Sequence, residues 1–115
     1  MSQPTVPEAV VVVTGPFEGA DVQRWAALIT EAMAIRPQRL VVDLAGTTRL
    51  DAAAIVVLLE AHRAMVHSGG SLMLRKPVAA VLRVLQLARV DRVFEVANPN
   101  RAEVMQVEPV TSGHS

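Results

Sequence analysis

Apolar residues recur along this chain in two alternating rhythms. Ala9 to Thr14 (AVVVVT) is a short β-branched run closed by Gly15-Pro16. A run that is apolar on both faces predicts a buried parallel strand. Helical spacing follows: Val22, Trp25, Leu28, Ile29, Ala32 and Met33 form one stripe, with Asp21 as N-cap and Pro37 as the stop. Arg39 to Ala45 (RLVVDLA) predicts a second strand, and the polar segment Gly46-Thr47-Thr48-Arg49-Leu50 reads as a loop. From Asp51 a longer helical pattern places Ile55, Leu58, Leu59, His62, Met65 and Val66 on one face and stops at Ser68-Gly69-Gly70. Ser71 to Leu74 is the third strand. Pro77 opens a third helix with Val78, Val81, Leu82, Leu85 and Ala88 as its stripe. Val93 to Val96 is a fourth strand, and Asn98-Pro99 starts a short helix that ends before Pro109.

Strands alternating with amphipathic helices imply one α/β domain with a mostly parallel sheet. The expected sheet has four strands, or five if the N-terminus supplies another, flanked by about four helices. Residues 1–8 are expected as an arm, 9–108 as the domain and 109–115 as a flexible tail.

Composition narrows the function. The 115 residues are 51% apolar but only 3% aromatic, so the core must be built from Val, Leu, Ile and Ala. Eleven basic residues balance eleven acidic ones, which removes the usual electrostatic case for nucleic-acid binding. Without cysteine there is no disulfide scaffold, thiolate metal site or Cys nucleophile. The longest apolar run, Ala52 to Leu59, falls far short of the ~20 residues that span a bilayer, so no membrane insertion is expected. No signal peptide is evident, and the expected location is the cytoplasm. The balance hides an asymmetry: residues 1–60 carry a net −3, residues 61–92 +5 and the remainder −2.

The usual chemistry is missing. Gly15-Pro16-Phe17-Glu18-Gly19 lies where a phosphate loop would sit, but it lacks the glycine spacing and Glu18 would repel a phosphate. His62 and His67 are five apart, so they do not share a helical face as zinc ligands would. Ser68 and Ser71 show no accompanying base. No catalytic, cofactor-binding or metal-binding residue is expected, and the chain does not read as an enzyme.

One segment remains. At Asp43-Leu44-Ala45-Gly46-Thr47-Thr48-Arg49-Leu50-Asp51-Ala52-Ala53-Ala54 a strand ends and a helix begins. In an open α/β sheet such junctions share one rim, where ligands or partners dock. Propensity alone explains the helix start as a capped, alanine-rich first turn.

The stretch from Val10 to Val96 resembles a STAS domain of the anti-sigma-factor-antagonist type. The resemblance rests on an ordered series: VVVVTG, LVVDLAGTTRLDAAAIVVLLEAHRAM, the GGSLML turn and strand, and VLRVLQLARVDRVFEV. It implies partner switching, with docking through the N-terminal end of the second helix onto a kinase-type anti-sigma factor. The family's motif there is Asp-Ser-Ser-Gly, and its first serine is the phosphorylation switch. This chain has Asp51-Ala52-Ala53-Ala54, so the acceptor hydroxyl is gone at Ala52. Where the family commonly has Gly-Glu-Leu-Asp, this chain has Gly15-Pro16-Phe17-Glu18.

The leading expectation is therefore a non-enzymatic interaction domain that binds an anti-sigma factor. Its contact set is Glu18, Asp21, Thr47, Thr48, Arg49, Asp51, Ala52 and Ala53. Thr47 and Thr48 offer neighbouring hydroxyls for modification. An exposed sheet edge would suit a homodimer. One alternative is an accessory STAS subunit of a membrane transport complex, such as lipid transport. Another is a small-ligand or nucleotide-binding domain on the same rim.

Overall fold

The computed structural model describes residues 6–97. Seven elements follow in order: β1 (Val6–Phe17), α1 (Asp21–Ala34), β2 (Pro37–Leu50), α2 (Ala52–His67), β3 (Ser71–Arg75), α3 (Ala79–Leu87) and β4 (Glu95–Ala97). The four strands form one parallel sheet in the order β1-β2-β3-β4. The parallel α/β architecture matches the expectation, with three helices among the described residues. The fourth expected helix and the tail lie outside them.

Period-2 alternation selects the core face of each strand. Val11 and Val13 of β1, Leu40, Val42 and Leu44 of β2, and Leu72 and Leu74 of β3 join one buried cluster. Ile29 of α1, Leu58 of α2 and Leu85 of α3 belong to the same cluster, so all three helices pack on this face. Phe17, Trp25 and Phe94 are its aromatic members. Burying a Leu-sized side chain contributes about 1.5–3 kcal/mol, and aliphatic side chains make up most of this cluster.

The bounds of β1 and β2 depart most from expectation, and β4 starts two residues later than expected, at Glu95. β1 begins at Val6, inside the stretch expected as an arm, and continues through Gly15-Pro16 to Phe17. β2 runs on through the polar segment expected as a loop, from Pro37 to Leu50. Thr14, Gly15, Pro16 and Phe17 pair with Gly46, Thr47, Arg49 and Leu50, with register shifts at Val12/Thr14 and Gly15/Pro16. Gly15 adopts a φ of 75°, open to glycine at no steric cost, which lets the bulged strand continue. Pro16 is tolerated because β1 is an edge strand among the described residues. Helix starts shift slightly too. Ala20, not Asp21, is the N-cap of α1, and Val78 that of α3.

Candidate functional site

The rim at the strand C-termini is built from the β1–α1 turn, the end of β2 and the start of α2. Its central group is Asp51. In extended conformation (φ −108°, ψ −179°), it accepts the Ala54 N–H on Oδ1 at 2.9 Å and the Gly19 N–H on Oδ2 at 2.9 Å. Its own N–H donates to the Phe17 carbonyl at 3.4 Å. The side chain thus caps α2 and ties it to the β1–α1 turn. The Gly19 amide, then the Ala54 amide, hold its carboxyl below the ordinary aspartate range, against a smaller opposing effect of desolvation.

The bulged pairing of β1 with β2 decides which hydroxyl reaches solvent. Thr47 is only 1% exposed, and its Oγ1 donates to the Val13 carbonyl at 2.9 Å. That corrects its place in the expected contact set: Thr47 is a buried strut between two strands. The reason is the strand itself, because a residue in a paired strand faces either the core or solvent, and Thr47 faces the core. Thr48 and Arg49 are exposed, and Leu50 returns to the core.

Charges on the rim are paired. Arg49 Nε lies 3.1 Å from Glu18 Oε2, and Arg24 lies 3.6 Å from Asp21, three residues earlier on α1. The acids Glu18 and Asp21 are therefore each offset by a nearby arginine. Asp21 does not cap α1, although its charge still sits in the first turn, where the helix dipole favours it.

Ala52 and Ala53 are exposed at the first turn of α2, while Ala54 is fully buried. One turn further, Val56 is 50% exposed and continues the apolar surface outward. Sequence reasoning missed it. The signal was present: Val56 falls between the buried positions Ile55 and Leu58 and off their stripe. The structure thus brings Glu18, Thr48, Arg49, Ala52, Ala53 and Val56 onto one end of the fold, with Asp51 as the brace beneath them. His62 stands apart, with its ring edge-on to Phe94 at 5.8 Å. Among the described residues, no group of three or more His, Asp or Glu side chains could hold a metal ion. No helix there is long and apolar enough to cross a membrane.

A family model described as "Mlab, STAS domain" matches residues 2–97. No curated protein matches the chain significantly. Among solved structures, it is similar to an anti-sigma factor antagonist from Mycobacterium paratuberculosis. That likeness has a TM-score of 0.72 and 20% identity, over 83% of this chain and 80% of the other. It is also similar to the anti-sigma factor antagonist SpoIIAA in its unphosphorylated form, with a TM-score of 0.69 and 17% identity over 96% of each chain. At these identities the likeness establishes a shared fold.

Proposed function

The chain belongs to the STAS domain family, and from that premise we propose that it is a non-enzymatic antagonist that binds a kinase-type anti-sigma factor in the cytoplasm through the N-terminal end of α2. One observation carries this reading. Ala52, Ala53 and Val56 form an exposed apolar surface, flanked by Thr48 and the Glu18–Arg49 pair and braced from below by Asp51. Small side chains on a rigid helix end let a partner backbone approach closely, and the polar flank fixes its orientation. The fold shared with anti-sigma factor antagonists supports the choice of partner.

Phosphorylation adds nearly two negative charges and would break such a contact. With alanine at position 52, the surface stays in its unmodified form. The chain would hold its partner without being released by phosphoryl transfer at that position.

Ala52→Glu tests the reading. A carboxylate in the first turn is favourable for the helix, so the fold survives. An unpaired charge in the contact should weaken binding by roughly 100-fold. Unchanged affinity for the anti-sigma factor would sink the proposal. Arg83, Arg89 and Arg92 are exposed on and after α3, with no ion pair among the described residues. They favour, as a second reading, a STAS subunit docked on a membrane transport complex. Co-purification of a transport ATPase and no sigma-pathway protein would decide for it.

A further inference from the structure

Among the described residues β1 is the outermost strand on its side of the sheet and pairs only with β2. Its other edge therefore presents backbone N–H and C=O groups for pairing. Pro7 and Pro16 stand near its ends and leave Glu8 to Gly15 free of proline. Val10 and Val12, 43% and 54% exposed, lie within that run.

α1 packs over this strand. Arg24, Leu28, Glu31 and Ile35 follow the i, i+4, i+7, i+11 spacing of one helical stripe and are all exposed, Leu28 by 41% and Ile35 by 56%. Met33 of the same helix points the other way, where it lines a cleft with Ala64 and Met65 of α2. The stripe must therefore flank the free edge of β1, on the side away from α2.

We propose that a second copy of this chain docks on this flank, joining the two β1 strands antiparallel about a two-fold axis. The stripe is self-complementary under that operation. Two antiparallel α1 helices centred near Leu28 place Arg24 of one copy opposite Glu31 of the other, twice. Arg24 keeps 62% of its side chain exposed despite its neighbour Asp21. Glu31 has no ion pair among the described residues. Leu28 fills the space between the charges, and Ile35 flanks them one turn further out. Because α2 lies on the far side of α1, the surface at Ala52, Ala53 and Val56 stays clear, and the dimer presents it twice. The assembly does not depend on the identity of that surface's partner.

Sedimentation equilibrium on the full chain, at concentrations up to ~100 μM, tests it, since standard-size interfaces are saturated there. The expected species is a dimer. Glu31→Arg sets like charges opposite each other at two symmetric places and should weaken dimerisation by roughly 100-fold. Combining Arg24→Glu with Glu31→Arg swaps the pair and should restore the dimer. Leu28→Asp should yield a monomer with an unchanged circular dichroism spectrum. A monomer throughout the range overturns the proposal. A dimer indifferent to Glu31→Arg and Leu28→Asp, or one the charge swap fails to restore, overturns it equally.

Discussion

Gly19 donates its backbone N–H to Asp51 Oδ2 at 2.9 Å, joining the first turn of the rim to the start of α2 across 32 positions of sequence. The other carboxylate oxygen caps the helix through Ala54. Asp51→Ala removes both contacts and should lower Tm by several degrees, while Asp51→Asn, which keeps one acceptor oxygen, should lower it less. The pH dependence has a definite sign. The folded carboxyl titrates below the ordinary value near 3.8, so its contribution is complete above that value. It disappears as pH falls through the folded pKa. Thermal melts from neutral to acid pH should therefore show wild type and Asp51→Ala converging only at the acid end.

Thr47 and Thr48 are neighbours in sequence with opposite exposures. Thr47→Val leaves the Val13 carbonyl without its donor and should cost about 1–2 kcal/mol in urea unfolding. Partner affinity should not change. A kinase that acts on this rim should modify Thr48 and leave Thr47 untouched in the folded chain, which phosphopeptide mapping would read directly.

Gly70 has no room for a side chain. A Cβ there would lie 2.7 Å from the Gln38 carbonyl oxygen and 2.9 Å from Met65 Cε. The methionine tip can move aside, but the backbone carbonyl at the start of β2 cannot do so freely. Gly70→Ala should destabilise the fold by about 1–3 kcal/mol, measured by the same denaturant titration.

The Glu18–Arg49 pair is largely solvated, with Arg49 69% exposed. Glu18→Gln should shift stability by less than ~1 kcal/mol. Any larger loss of partner affinity, read by calorimetric titration, would then report contact at the rim.

The four described strands and three described helices were legible as elements because each carries its own apolar run or apolar period. Ile29, Leu58 and Leu85 sit on the buried stripes that their spacing implies. Element ends were less legible. Gly46 to Arg49 has loop composition, yet it continues β2 because Thr14 to Phe17 lie alongside to pair with it. Of the expected contact residues, Ala52 and Ala53 do lie exposed at the helix start. Thr47 does not, because its orientation depends on a bulge between strands some thirty positions apart. Val56 escaped notice because the buried stripe, not the residues beside it, is what periodicity highlights.

By itself, then, the sequence determined the β-α alternation, the aliphatic core and the alanine at position 52, since these are properties of residues and short windows. Only the tertiary structure decided that Thr47 turns inward, that Gly19 meets Asp51 and that β1 lies outermost among the described strands. The physical reason is range. A hydrophobic period fixes which face of one element is buried. Register, sheet order and the partner of a carboxylate depend on contacts between segments that the chain itself keeps far apart.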